Sequence, residues 1–286
     1  MDWTQSVDPV LVLRLLAIGL GGFATGFLGG MMGLALGRPR LLLVYWAAEN
    51  PLAAAGTNIL IGSLVAAAGA WRHLREGRVD FTIVAFMGIP TMAGAFLGGF
   101  YAGLAPRAVL LVIVGAMSMW YGFKLLRNGG KDRPQDRSAA ETAPGAQAPP
   151  SPNPAPAGAV KPSQSRRLKE MGFGFAIGLF GGVVGLLLGQ LRLPAMIHGL
   201  GLDPRMAAGT NLAIGFLAGM LGFLGHMLHL EVDWAVFAAI APAAMAGAYL
   251  GARQTGKKSP RTLKRLMGVV MVVVALPLFW VAFTQP

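Results

Sequence analysis

Arg40 and Arg192 each lie in an apolar stretch a few residues beyond a glycine-rich run, Gly29, Gly30, Gly33 and Gly37 in one case and Gly181, Gly182, Gly185 and Gly189 in the other. The two runs match at a shift of 152 residues, and so do the arginines. A guanidinium holds five N–H donors in a planar fork that fits trigonal or tetrahedral oxyanions through paired hydrogen bonds. An arginine at the centre of a bilayer costs about 2.5–3.5 kcal/mol on insertion scales, and an anion held between two of them would offset that cost. The competing reading is that both side chains extend to the lipid headgroups and serve only as anchors.

Arg38 and Gln190 occupy matching positions two residues earlier, and His198 follows Arg192 closely enough to be a candidate for coupling protons to an anion. Pro39 and Pro194 interrupt both stretches. Proline removes a backbone donor and breaks a helix, so the freed groups must be buried in protein or line a cavity. Matching interruptions in two halves are the best sequence pointer to a transporter's binding site.

A second pair of motifs, Ala55-Gly56-Thr57-Asn58 and Ala208-Gly209-Thr210-Asn211, repeats at a shift of 153, shortly after Asn50-Pro51 and Asp203-Pro204. Near a helix start, Thr57, Asn58, Thr210 and Asn211 would add neutral hydrogen bonds to an anion already favoured by the free N–H groups there. The same residue types also hold membrane helices together, which is the alternative. Pairs such as Gly94/Gly98 and Gly247/Gly251 have the spacing that lets helix backbones approach closely, and they read as packing.

Other chemistry is poorly provided for. The chain has no cysteine, which excludes disulfides, thiolate metal sites and cysteine nucleophiles. His226, His229 and Glu231 are close in sequence but fall at an expected loop whose counterpart keeps only His73, so neither a metal nor any other cofactor is expected. No apolar run holds a serine–histidine or paired-carboxylate arrangement, so the chain does not read as an enzyme. No Asp or Glu falls in the middle of a run either, which leaves a carboxylate proton relay without support.

What must position these residues follows from composition. Of the 286 residues 55% are hydrophobic and 13% charged, against about 25% charged in a soluble domain. Lipid offers the backbone no hydrogen bonds, so apolar runs of about 20 residues must be helices. Spans are expected at 10–36, 52–71, 81–104, 108–126, 173–188, 206–228, 234–250 and 263–283. The net charge of +12 sits between these runs as headgroup anchors and does not read as a nucleic-acid surface. The region 128–167, rich in Pro, Ala and Ser, reads as a disordered linker between a first four-span repeat, 1–127, and a second, 168–286.

The fold expected is therefore an all-α membrane protein of about eight transmembrane helices in two parallel four-helix repeats. Four spans per half would bring both halves into the membrane from the same side. Under that topology one side carries 13 Lys/Arg and the other 11, a difference too small to orient the chain, and a long basic linker favours termini and linker in the cytoplasm.

These motifs, in their order and twice over, resemble the TauE/SafE family of sulfite exporters and related sulfur-anion transporters. The resemblance rests on the run from Gly185 to Pro194, on Asp203-Pro204-Arg205-Met206-Ala207-Ala208-Gly209-Thr210-Asn211 and on the stretch from His73 to Phe81. It covers nearly all of the chain except the linker, and Asn58 and Asn211 stand where the family usually has serine. It implies a multi-pass protein of the inner cell membrane that exports a small anion, sulfite or an organosulfonate, and the paired interruptions suit alternating access by movement of one half against the other. A small anion and the lipid bilayer are then the partners expected, with no nucleic acid. An anion channel and a non-transporting binding or assembly protein are the alternative readings.

Overall fold

The computed structural model describes residues 9–34, 36–47, 51–101, 107–128, 164–184, 189–226 and 232–284. Within them every regular element is helical: α1 (Pro9–Met32), α2 (Gly37–Ala47), α3 (Pro51–Arg75), α4 (Phe81–Phe100), α5 (Arg107–Asn128), α6 (Gln164–Val184), α7 (Gly189–Pro194, continuing as a π turn, Ala195–Gly199), α8 (Pro204–His226), α9 (Trp234–Thr255) and α10 (Pro260–Thr284). Three of these stretches, Phe81–Phe100, Pro204–Gly225 and Trp234–Thr255, are both long and apolar enough to cross a membrane. Most of the expected linker lies outside the described residues, but its last four, from Gln164, already belong to α6.

Local sequence explains the boundaries. Proline opens α3, α8 and α10, where its missing N–H costs nothing. Asp80 caps α4 through its carboxylate, accepting from Thr82 N at 2.9 Å and Ile83 N at 3.1 Å, and Asp233 caps α9 by accepting from Val236 N at 3.0 Å. At the end of α1, Gly33 has φ +71° and Leu34 N–H donates to Gly29 O at 3.0 Å. This left-handed cap turns the chain back sharply, and only glycine adopts it without strain.

The helices of the two halves interleave. α1 packs along α9, α4 along α6, α5 along α10 and α3 along α8, with further contact of α3 on α9 and of α8 on α4. Glycines bring the first two pairs to backbone contact. A Cβ at Gly22, Gly26 or Gly30 would run into α9 at Ile240, Ala244 or Ala248, and one at Gly174, Gly178 or Gly182 into α4 at Met87, Thr91 or Ala95. Gly94, Gly98, Gly247 and Gly251 are the reciprocal faces, as the small-residue spacing implies.

The order of these contacts fixes helix direction. Along both of those pairs the residue numbers rise together, so α1 runs parallel to α9 and α4 parallel to α6. Ala248 faces Gly69, Tyr249 faces Arg72 and Ala252 faces Arg78, so α3 runs with α9 as well. Between α3 and α8 the numbers run oppositely: Gly209 meets His73, Gly69 meets Leu212 and Gly215 meets Ala66. Corresponding helices of the two halves are therefore antiparallel, and the parallel repeat expected from the sequence is corrected. The short helices α2 and α7 account for the difference. Each is short, 11 residues for α2 and six before the π turn for α7, but turns the chain back, so that α1 and α3 point the same way.

The reversal brings together the segment after α3 and the end of α9, which a parallel repeat would separate: Arg78 Nη2 donates to Ala252 O at 3.0 Å. Within the second half, Arg205 Nη2 donates to Lys258 O at 2.8 Å. Arg78 also contacts Glu76, which bridges to Arg72 at 2.5 Å. Burial pulls the Arg78 guanidinium below the usual arginine value, with Glu76 opposing. A labelling experiment tests this arrangement cleanly, because the chain contains no native cysteine. Arg75→Cys and Lys257→Cys, both at exposed positions, are expected to react with a membrane-impermeant maleimide from the same side of sealed vesicles and Tyr101→Cys from the other. Reaction of Arg75→Cys and Lys257→Cys from opposite sides would restore the parallel repeat.

Candidate functional site

Each half builds the same clamp from a short helix and the long helix after it. Arg40 on α2 donates from Nε to Asn58 Oδ1 on α3 at 2.9 Å and from Nη2 to the Asn58 carbonyl at 3.0 Å. Arg192 on α7 donates from Nε to Asn211 Oδ1 on α8 at 3.0 Å. Both arginines are 2% exposed. They do not extend to headgroups, and among the described residues neither has a carboxylate partner. A neutral amide orients a guanidinium without cancelling its charge, which leaves two positive charges inside the protein.

Asn211 does more than meet Arg192. Its Nδ2 donates to Gly33 O at 2.7 Å and to Gly189 O at 3.0 Å. It thereby ties the start of α7 to the left-handed turn that ends α1 in the other half, capturing carbonyls that helix ends leave without partners. A Cβ on Gly189 would stand 2.8 Å from Asn211 Nδ2, so the glycine is needed for the amide to approach.

The threonines face elsewhere. Thr57 Oγ1 accepts from Asp233 N at 2.8 Å and Thr210 Oγ1 from Asp80 N at 2.9 Å. Each buried threonine thus braces the aspartate that caps a helix of the opposite half. Both lie well past the first turn of their helices, beyond the N–H groups that a helix start leaves free. Thr57→Val and Thr210→Val are each expected to lower stability by about 1 kcal/mol, and the double variant by about the sum, since the two sites are far apart. Thermal denaturation in detergent measures this; a Thr→Ser series that falls as far as the Val series would count against the hydroxyl.

Of the remaining candidates, Gln190 is half-buried on α7. Arg38 lies on α2 and His198 in the π turn after α7, and their side chains fall outside the described residues. His73, at the end of α3, is buried with Nε2 3.1 Å from Gly30 O, so that this nitrogen donates and the ring ties α3 to α1. Gly215 went unread in the sequence although it lines Arg192: a Cβ there would stand 3.6 Å from Arg192 Nη2 and 3.8 Å from Ala66 Cβ. Its repeat partner Gly62, at the same shift of 153, was the available signal.

No solved structure matches the chain. It is 32% identical over 106 residues to the Probable membrane transporter protein YunE of Bacillus subtilis (strain 168), an alignment that takes in 37% of this chain and 39% of that protein. The family model for the sulfite exporter TauE/SafE matches residues 14–278. That match takes in both arginine–asparagine clamps and both threonine braces, and the chain belongs to the TauE/SafE sulfite exporter family.

Proposed function

We propose that the protein exports a small oxyanion of the sulfite or organosulfonate class across the cell membrane, using the buried arginine charge as its anion site. The observation that carries this reading is the pair of repeat-related, buried guanidinium groups held by asparagines and not by carboxylates. Charge buried in a membrane protein without a fixed counter-charge is expensive and marks an ion pathway. An anion supplies the missing counter-charge reversibly, whereas a resident Asp or Glu would do so permanently.

The proposed scaffold has eight membrane-crossing helices, α1, α3, α4, α5, α6, α8, α9 and α10. They form two inverted repeats, 1–127 and 168–286, with α2 and α7 as half-crossing elements and the linker between. Helix ends then sort the basic residues. Arg72, Arg75, Arg78, the nine Lys/Arg from Lys124 to Lys169, Arg205 and the six from Arg253 to Arg265 fall on one face, and Arg14 and Arg107 on the other. By the positive-inside rule the first face is cytoplasmic, which keeps the linker inside as first expected and moves both chain ends outside. An inside-negative potential favours anion exit by about 2.3 kcal/mol per charge per 100 mV, so export needs no dedicated coupling ion.

The moving bodies in alternating access would be drawn by packing. One comprises α1, α2, α3 and α9 and the other α6, α7, α8 and α4, meeting where α3 crosses α8. Reconstitution tests the function: liposomes preloaded with sulfite or methanesulfonate should show saturable efflux with counterflow, reduced at least about 100-fold in the Arg40→Ala, Arg192→Ala double variant. Non-saturable flux without counterflow would make the protein a channel. Undiminished flux in a folded double variant would remove the site.

A further inference from the structure

The two clamps are equivalent in sequence but not in bonding. Arg40 Nη2 is engaged by the Asn58 carbonyl at 3.0 Å. Arg192 makes the corresponding Nε bond, 3.0 Å to Asn211 Oδ1, but its Nη2 is buried and has no hydrogen-bond partner. That nitrogen lies beside Gly215 of α8, whose Cβ position is 3.6 Å from it and 3.8 Å from Ala66 Cβ of α3. Gly215 is the twelfth residue of the 23-residue α8, about 16 Å along it from Pro204 and hence at its middle. A buried charged donor without an acceptor is destabilising, and glycine at position 215 places no side chain between Arg192 Nη2 and Ala66.

We infer that Arg192 alone seats the anion, through Nη2 in the notch between Gly215 and Ala66, and that the anion is a compact, singly charged oxyanion such as a sulfonate. Arg40 is a positioning residue, tied to Asn58 at the opposite end of the crossing. The inference rests on the anion-transport reading and narrows it in two respects. One guanidinium matches one negative charge, whereas a dianion such as sulfate would bring a second charge into a low-dielectric interior with no donor to meet it. The notch also has a glycine floor, so headgroup size is set at position 215.

Two matched glycines make a gentle test. A Cβ on Gly215 would stand 3.6 Å from Arg192 Nη2, and a Cβ on Gly37 the same 3.6 Å from Arg40 Nη2, both at ordinary van der Waals separation, so Gly215→Ala and Gly37→Ala should fold. Purified full-length protein would be titrated calorimetrically with methanesulfonate and with sulfate. Gly215→Ala is expected to weaken methanesulfonate binding about 10-fold and Gly37→Ala less than about 2-fold, with sulfate binding more weakly than methanesulfonate to wild type. Arg192→Gln, which retains a short donor toward Asn211, should abolish binding. Equal losses in the two glycine variants, or tighter binding of sulfate, would overturn the one-arginine site while leaving anion transport standing. If wild type binds neither anion, the transport reading fails and this inference with it.

Discussion

Asn211→Ala is expected to leave a protein that neither folds stably nor transports. The substitution strips the acceptor from a buried arginine Nε and the donor from the carbonyls of Gly33 and Gly189. None of the three can turn to water. Unpaired buried groups cost about 1–3 kcal/mol each, more when charged, although hydrogen bonds between membrane helices average nearer 0.6 kcal/mol. A loss of about 3 kcal/mol or more follows, a large share of the stability of a typical protein. Asn211→Gln keeps the amide but lengthens it into the close space against Gly189, and should recover little. Denaturation in detergent, followed by circular dichroism, reads the effect. An Asn211→Ala protein as stable as wild type would mean that the amide bridges nothing essential.

The second large effect is steric. In Gly26→Ala the new methyl would lie 2.9 Å from the carbonyl carbon and 3.0 Å from the Cα of Ala244, and in Gly178→Ala 2.8 and 2.9 Å from the same atoms of Thr91. Those are backbone atoms, which no rotamer change can move aside. The α1–α9 and α6–α4 pairs would have to separate along their length, losing the close packing that membrane helices rely on in place of a hydrophobic driving force. Each variant is expected to lower Tm by about 10 °C or more, from several kcal/mol of lost contact. Gly172→Ala on α6, with nothing within 4 Å of its Cβ position, is the control; better helix propensity should leave it at or slightly above wild type. A Gly178→Ala protein that melts with the Gly172→Ala control would show that the helices are not in backbone contact.

Much of this was legible from residues alone, and the parts that were not have physical reasons. Length and apolarity placed eight long helices among the described residues to within a few residues at most ends, three of them long and apolar enough to cross a membrane. Small-residue spacing identified Gly94, Gly98, Gly247 and Gly251 as packing surfaces. Helix direction was not legible. The segment from Gly37 to Ala47 is too short and too broken by Pro39 to read as a span, yet it reverses the chain, and counting apolar runs misses a reversal made by a half-length helix. That miscount gave the second repeat the wrong direction, because it put Arg78 and Ala252, which hydrogen-bond to each other, at opposite ends of the helices. The arginines were legible as a pair, since repetition of a costly residue needs a cause. Their difference in bonding arises between residues with the same type and spacing in both halves, and the use of Thr57 and Thr210 to brace caps in the opposite half depends on contacts across more than 100 residues, so no local pattern encodes either.

Interleaving also bears on how such a chain could have originated. α1 lies on α9, the counterpart of α4; α3 lies on α8, its own counterpart; and α5 lies on α10, likewise. Two separate copies of a half-length ancestor, one inserted each way up, would make every one of these contacts as an antiparallel homodimer. Fusing the two genes through the stretch between α5 and α6 would lock the copies at equal numbers. It also frees one copy to diverge, as a single released guanidinium nitrogen on Arg192 already suggests.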